Sequence, residues 1–381
     1  MKKLKIVTIV GTRPEIIRLS RTMSRLDEFT EQIIVHTGQN YDYELNEVFW
    51  TDLELRKPDH FLNADTSSLG ATVGDILKKT EEVLKREQPD GLLVLGDTNS
   101  CLSAYIAKRM HIPIFHMEAG NRSFDQNVPE ETNRKIIDHL ADFNLVYTEH
   151  ARRHLLSEGL PHRRIYLTGS PMKEVLSHYK SKIDTSKALE TLDLKKKEYF
   201  LVSIHREENV DHPESLSKIL GLLNTIAKKY NSPVIVSTHP RTKKRIEALQ
   251  TGSPQKVHEH IKFMKPFGFL DYIHLQKHAK CVISDSGTIS EESAILSFPA
   301  ISLRQSMERP EAQDEGTIIL TGFDQGVVLN AIEAVISEFE MNDGTYPTLP
   351  EDYAINNTSW RVVKLVLGNT KLSNQWAGIK K

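Results

Sequence analysis

The sequence predicts an α/β fold in two domains, each a parallel sheet joined by crossover helices. Short apolar runs recur at Ile6–Val10, Gln32–His36, Leu92–Leu95, Pro113–Met117, Asn144–Tyr147 and Ile165–Thr168. They return at Tyr199–Ile204, Val234–Thr238, Ile261–Met264, Cys281–Ser284 and Ala300–Leu303. Most are continuous rather than alternating, as expected of strands covered on both faces. Helix-length segments separate most of them, which is the grammar of βαβ units. A chain of 381 residues is also long for a single hydrophobic core. The α/β rhythm breaks over the Lys-rich stretch Lys180–Lys197 and begins afresh at Tyr199. The boundary is placed near Pro171, giving a first domain of residues 1–171 and a second of 172–358.

In chain order, the first strand delivers Gly11-Thr12-Arg13-Pro14-Glu15, and Ile16–Leu26 reads as a helix. Pro14 suits the first helical turn, where its missing N–H costs nothing. Orphan backbone donors there, together with Arg13, make an anion site. Neither GxGxxG nor GxxxxGK[ST] occurs in the chain. Gln32–His36 ends in the polar loop Thr37–Asp42. Asp65–Ala71 reads as loop and helix start, and Thr72–Lys85 as an amphipathic helix with Val73, Ile76, Leu77 and Val83 apolar. Leu92–Leu95 stops at Gly96-Asp97-Thr98-Asn99, and Pro113–Met117 stops at Glu118-Ala119-Gly120. Glu130 and Glu131 open a helical pattern through Asn133 and Arg134, and Glu149–Glu158 is a further helix. In the second half, Tyr199–Ile204 ends in His205-Arg206, Leu216–Tyr230 is a helix, and Val234–Thr238 ends in His239-Pro240-Arg241. Cys281–Ser284 ends in Asp285-Ser286-Gly287-Thr288, before a helix carrying Glu291 and Glu292. Ala300–Leu303 leads to the loop Glu308-Arg309-Pro310-Glu311. The tail from Ser359 to Leu367 is amphipathic and docks back on one domain.

Composition excludes several classes. The 49 basic and 51 acidic residues are mixed along the chain, for a net charge of −2. Nothing in that pattern recommends nucleic acid or an anionic membrane as partner. Cys101 and Cys281 sit in unrelated apolar segments, which implies two buried thiols in a reducing compartment rather than a disulfide or zinc site. The N-terminal MKKLKIVTIVG has no cleavage site and reads as the first strand. No run approaches the ~20 apolar residues a membrane span needs, so a soluble, cytoplasmic protein is expected. His150 and His154 stand at i,i+4 spacing without an acidic or cysteine partner, and are assigned to a solvated helix face.

Ligands of open parallel sheets sit beyond the carboxyl ends of the strands. Asp97 and Glu118 fall at that edge, and Glu130 lies on a loop that reaches it. Three carboxylates suit either magnesium or manganese or proton transfer. Acid–base chemistry is favoured, because Arg13 and helix ends already compensate the charge of a phosphate. The turn Ser286-Gly287-Thr288 lets an anion approach the backbone at a helix start. With Arg13, His205 and Arg206 on other strand ends, the cleft expected between the domains is cationic, and such clefts are default ligand sites. Glu292 either complements its helix dipole or accepts both hydroxyls of a ribose.

The motifs Gly11-Thr12-Arg13-Pro14-Glu15, Gly96-Asp97-Thr98, His116-Met117-Glu118-Ala119-Gly120, Pro129-Glu130-Glu131-Thr132-Asn133-Arg134, His205-Arg206, Asp285-Ser286-Gly287 and Arg309-Pro310-Glu311 occur in that order. Together they resemble the non-hydrolysing UDP-N-acetylglucosamine 2-epimerase family, over a stretch from the first strand to about Gly322. The resemblance implies two Rossmann-like domains as in GT-B glycosyltransferases, with a UDP-sugar in the cleft. It also implies no redox cofactor or metal, a homodimer, and a C-terminal helix, about 359–381, crossing back to the first domain. Carried onto matching positions, Asp97, Glu118 and Glu130 are the acid–base carboxylates, and His205 bears on the diphosphate leaving group. Arg13 and Arg206 lie near the phosphates; Ser286, Gly287 and Thr288 hold phosphate; Glu292 takes the ribose diol; and Tyr272 stacks near uracil. Arg18 and Arg309 complete the implied substrate-binding set.

Several positions depart from the family pattern. Arg18 stands where lysine is usual. The loop Gly38–Asp42 lacks the Gln-His element associated with a second, allosteric UDP-N-acetylglucosamine, so that regulation is not expected. His205-Arg206-Glu207 replaces His-Arg-Arg, Thr288 and Ser290 replace glycine and glutamine, and the loop from Glu118 to Glu130 is shorter. These variants resemble a branch of capsule and O-antigen pathways that converts UDP-2-acetamido-2,6-dideoxy-L-talose to UDP-N-acetyl-L-fucosamine. Epimerisation of UDP-N-acetylglucosamine to UDP-N-acetylmannosamine is the alternative.

The chemistry constrains either reading. The C2 hydrogen of an N-acetylhexosamine is not acidic, but breaking the C1–O bond develops oxocarbenium character that acidifies it. UDP departure with removal of that proton gives a glycal, and re-addition with protonation on the opposite face gives the epimer. The departing diphosphate needs fixed donors, and close carboxylates push one another's proton affinities apart. A retaining GT-B glycosyltransferase requires an acceptor, and a hydrolysing epimerase releases UDP and free sugar. A non-catalytic UDP-sugar sensor leaves the three carboxylates unexplained.

Overall fold

The structure, a computed structural model, describes residues 2–38, 49–204, 213–238, 242–243, 245–246, 257–345 and 349–379. It divides into two compact units, Met1–His178 with Glu351–Lys381, and Tyr179–Pro350. The first therefore extends through the helix that follows Pro171.

The first unit holds strands β1 (Lys5–Val10), β2 (Glu31–His36), β3 (His60–Phe61), β4 (Gly91–Leu95), β5 (Ile114–Ala119), β6 (Phe143–Val146) and β7 (Ile165–Leu167). They form one parallel sheet in the order β3-β2-β1-β4-β5-β6-β7. The order reverses at β1, so the switch point at which doubly wound sheets bind ligands lies between β1 and β4. Crossovers are made by α1 (Arg13–Phe29), α2 (Leu69–Glu87), α3 (Ala104–Arg109), α4 (Glu130–Leu140) and α5 (Glu149–Ser157), and α6 (Met172–His178) follows the last strand. Helix α1 starts ahead of its apolar pattern because Thr12 is extended and Pro14 occupies the first turn. The Ser68 hydroxyl caps α2 by accepting the Ala71 N–H at 3.1 Å, and the helix stops where Gln88 turns left-handed. Val7, Ile9, Leu92, Val94 and Ile114 of the sheet pack with Val83 and Leu84 of α2, Ala104 of α3 and Ile137 of α4. Burying one such large aliphatic side chain is worth about 1.5–3 kcal/mol.

His36 closes β2. It is fully buried, stacks on Phe61 at 4.7 Å between ring centroids, and its Nδ1 accepts the Gly38 N–H at 3.0 Å. Burial lowers its pKa from 6.5 to about 4. The folded chain then carries a neutral ring where the unfolded chain takes up a proton. The resulting stability is fully present above about pH 6.5 and is lost as pH falls toward the folded value, by about 3 kcal/mol in total. His36→Gln, which keeps an acceptor for Gly38, is expected to flatten the pH dependence of the unfolding free energy between pH 7 and 4. Equal slopes in variant and wild type would remove His36 as its source.

The second unit holds β8 (Phe200–Ser203), β9 (Val234–Ser237), β10 (Ile261–Met264), β11 (Cys281–Ser284), β12 (Ala300–Ser302) and β13 (Ile319–Leu320), parallel in the order β10-β9-β8-β11-β12-β13. Two short helices, α7 (Lys180–Asp184) and α8 (Ala188–Thr191), occupy the Lys-rich stretch. Further helices are α9 (Pro213–Tyr230), α10 (Phe269–His278), α11 (Ile289–Leu296), α12 (Glu311–Asp314) and α13 (Gln325–Met341). Phe200, Val202, Val234, Ile283 and Ile301 form the core with Ile226 of α9 and Val328 and Ile332 of α13. Cys281 lies in this core and Cys101 in that of the first unit; neither is paired. Burial pushes both thiols well up.

Helix α14 (Thr358–Trp376) returns to the first unit and packs on α1. Its start is tied down by Thr358 Oγ1, which donates to the Thr168 and Ser170 carbonyls, and by the Ser359 N–H, which donates to Glu174 at 2.8 Å. Trp360 meets Phe29 at 5.3 Å and lies under the Arg25 guanidinium at 4.3 Å. No helix among the described residues is long and apolar enough to cross a membrane.

Candidate active site

In the first unit the carboxyl ends of β4 and β5 converge. β5 runs beyond Met117 through Glu118, where the ladder shifts register between Met117 and Ala119. Glu118 itself has a left-handed φ of 65°, which costs a non-glycine residue on the order of 1–2 kcal/mol. This bulge brings its carboxylate beside Gly96: a Cβ added to Gly96 would lie 3.2 Å from Glu118 Oε2. Arg18 of α1 pairs with that same oxygen, and both side chains are nearly buried.

Asp97, next to Gly96, accepts from Arg134 Nε of α4 at 2.7 Å, and Asn133 donates to its carbonyl at 2.9 Å. Arg134 also donates to Glu131 at 2.8 Å. Burial opposes ionisation of Glu131, but the Ser123 amide and Arg134 outweigh it and hold the carboxyl below the usual range. Asp97 and Glu118 are thus brought together, each on its own arginine. Glu130 opens α4 half-buried, with no hydrogen bond or ion pair among the described residues. The Arg13 guanidinium lies over Phe49 at 5.3 Å.

Two participants were not assigned a role from the sequence. Arg134 entered it only as part of a motif, yet it holds Asp97. Glu15, 2% exposed, accepts from the Gly11 N–H at 2.9 Å, Thr12 Oγ1 at 2.8 Å, Thr98 Oγ1 at 3.1 Å and the Ser100 hydroxyl. Burial pushes its carboxyl up despite these donors. It ties the turn after β1 to the turn after β4. A buried glutamate between two hydroxyl-bearing turns was the available signal.

In the second unit, β11 ends at Ser284, and Asp285-Ser286-Gly287-Thr288 leads into α11. The Ser286 N–H donates to Ser284 Oγ at 3.0 Å, and the Ser286 and Thr288 hydroxyls lie 3.0 Å apart. A Cβ on Gly287 would meet Glu308 Oε1 at 3.0 Å. Glu292, on α11, accepts from Gln276 of α10 at 2.7 Å. Tyr272, also on α10, has its phenol pushed well up by burial and then by the Glu292 charge. Arg309 is buried against Glu291 of α11. His205, Arg206 and the loop residues 39–42 lie outside the described residues.

His154 is half-buried rather than solvated: it donates from Nδ1 to the Gly120 carbonyl at 3.0 Å and meets Phe124 edge-on. Among the described residues no group of three His, Cys, Asp or Glu side chains is placed to hold a metal ion.

Residues 23–367 match the family model described as UDP-N-acetylglucosamine 2-epimerase. The chain belongs to the UDP-N-acetylglucosamine 2-epimerase family. It is 38% identical over 336 residues to the UDP-N-acetylglucosamine 2-epimerase of Methanococcus maripaludis, covering 87% of this chain and 92% of that protein. Among solved structures, UDP-N-acetylglucosamine 2-epimerase from Rickettsia bellii superposes with a TM-score of 0.91 at 46% identity, over 99% of this chain and 100% of that one. The Methanocaldococcus jannaschii UDP-GlcNAc 2-epimerase, solved in complex with UDP-GlcNAc and UDP, gives a TM-score of 0.87 at 33% identity, over 95% and 99%. As a member of the non-hydrolysing 2-epimerase family the chain is an isomerase, a UDP-sugar 2-epimerase. Its two parallel sheets give the mixed α/β fold of GT-B-like epimerases.

Proposed function

We propose that this epimerase inverts C2 of a UDP-N-acetylhexosamine by eliminating UDP and adding it back to the resulting glycal. The observation that carries the reading is the meeting of Asp97 and Glu118 around Gly96, each engaged by a cation, Arg134 and Arg18. In the forward step a carboxylate takes the C2 proton. The C–H electron pair becomes the C1=C2 bond, and the C1–O pair leaves on UDP. The return step reverses this bookkeeping, with a proton delivered to the opposite face from another of the three acids, Asp97, Glu118 and Glu130. As the family resemblance implies, we assign Arg13, His205 and Arg206 to the diphosphate, Ser286, Gly287 and Thr288 to phosphate, Glu292 to the ribose and Tyr272 to uracil. Arg309, through Glu291, keeps α11 in place for that task. Domains of residues 1–171 with 359–381 and of 172–358 divide the work, the first carrying proton transfer and the second UDP binding.

The sugar we assign is UDP-2-acetamido-2,6-dideoxy-L-talose, converted to UDP-N-acetyl-L-fucosamine by a cytoplasmic homodimer for capsule or O-antigen precursors. The sequence variants at positions 18, 207, 288 and 290, which resemble that branch, support it. The names of the similar proteins favour UDP-N-acetylglucosamine as the second reading. One experiment tests both: proton NMR of the enzyme in D2O with each sugar nucleotide in turn. The expected result is conversion of the 6-deoxy-L-talo compound with deuterium at C2 of the product. Turnover of UDP-N-acetylglucosamine alone would select the second sugar. Product without deuterium, or accumulation of free UDP, would sink the elimination and re-addition scheme.

A further inference from the structure

We propose that Asp138, on α4, is a positioning residue that sets both Asp97 and Glu118; the proposal rests on the acid–base reading above. Asp138 is fully buried and touches nothing that reacts. Its Oδ1 lies 3.0 Å from His116 Nδ1, both carboxylate oxygens lie 3.2 Å from the Gly120 nitrogen, and Oδ2 accepts from Arg122 Nη1 at 2.7 Å. His116, on β5, is 1% exposed, and its Nε2 lies 2.8 Å from the Gly96 carbonyl.

Every one of these contacts ends beside a catalytic acid. Gly96 is the residue before Asp97, and it adopts a φ of 74°. Gly120 and Arg122 follow Glu118, whose left-handed backbone needs an external hold, since an unsupported carboxylate-bearing residue relaxes out of that region. Arg122 is anchored from the other side by Glu158 at 2.8 and 2.7 Å. One buried carboxylate therefore fixes the ends of β4 and β5 relative to each other, reaching β4 through a histidine and β5 through an amide and a guanidinium. Nδ1 of the ring faces Asp138 and Nε2 faces the Gly96 carbonyl, so the buried imidazole bridges the two. The turn at Ser286-Gly287-Thr288, where we place phosphate, belongs to the second unit. Loss of Asp138 should misplace the acids without weakening UDP-sugar binding.

The test is Asp138→Asn, which keeps the size but replaces one acceptor oxygen with a donor that opposes Arg122 or the Gly120 N–H. In folded enzyme kcat is expected to fall about 100-fold, the scale of small misplacements of catalytic groups, with KM within about threefold of wild type. Should Asp138→Asn not fold, His116→Gln severs only the arm to Gly96 and is expected to lower kcat at least ~10-fold at unchanged KM. Wild-type kcat in whichever variant folds would overturn the proposal. So would a rise in KM that matches the fall in kcat, since general loosening predicts that. Asp97→Asn and Glu118→Gln are assayed alongside. If they retain turnover, the acid–base reading itself fails; if they lose it while Asp138→Asn does not, only the role of Asp138 fails.

Discussion

Glu118→Gln is expected to lower kcat by at least ~100-fold, the usual scale of a lost general acid or base. The amide matches the carboxylate in shape and still offers Arg18 an acceptor, but it can neither take nor return the C2 proton. Substrate contacts assigned to the second unit are untouched, so KM should move little. The pair with Arg18 is nearly buried, and an arginine left there without its anion destabilises the fold. Turnover must therefore be referred to folded enzyme, by circular dichroism and by UDP binding, and followed by NMR at saturating sugar nucleotide. Turnover within a few-fold of wild type would take Glu118 out of the proton path.

Gly120→Ala is expected to cause a large loss of stability, because the added methyl meets backbone atoms. The new Cβ would lie 2.4 Å from the Ala151 carbonyl oxygen, 2.9 Å from its carbon and 3.0 Å from Leu155 Cγ. Two of these are backbone atoms of α5, which cannot rotate aside. The φ of 81° adds a left-handed penalty of about 1 kcal/mol, and forced overpacking typically costs about 1–3 kcal/mol. Together they correspond to a melting temperature lower by roughly 5–15 °C for a unit of this size. Gly70→Ala and Gly74→Ala are the controls. Both lie in α2 with nothing within 4 Å of the added Cβ, and alanine there should be neutral or stabilising. Equal melting temperatures for Gly120→Ala and these controls would show that α5 gives way.

The strand ends that carry Asp97, Glu118 and Ser286 were legible because continuous apolar runs stop abruptly at polar, glycine-containing turns. The edge strands β3 and β13 were not, being only two residues long. Glu118 was expected just past its strand, but the structure includes it in β5, because the bulge that turns its backbone left-handed has no signature in side-chain pattern. The arginines behind the acids were hidden for a related reason. Arg18 meets Glu118 across 100 positions and Arg134 meets Asp97 across 37, and such pairs exist only once the sheet order is set. Asp138 was less visible still. In the sequence it is one acid in a polar helix, and only burial against β5 shows that its partners flank two other acids.

Cys101 and Cys281 are both enclosed in hydrophobic cores with their thiols held firmly protonated. Since thiolate is the form that reacts with maleimides and iodoacetamides, the wild-type chain should resist these reagents until it unfolds. A cysteine installed on the surface, for instance at Glu338 of α13, would then be the single reactive handle for a fluorophore or spin label. No native residue would have to be replaced first. Distances between probes placed one per unit could then be compared with and without sugar nucleotide.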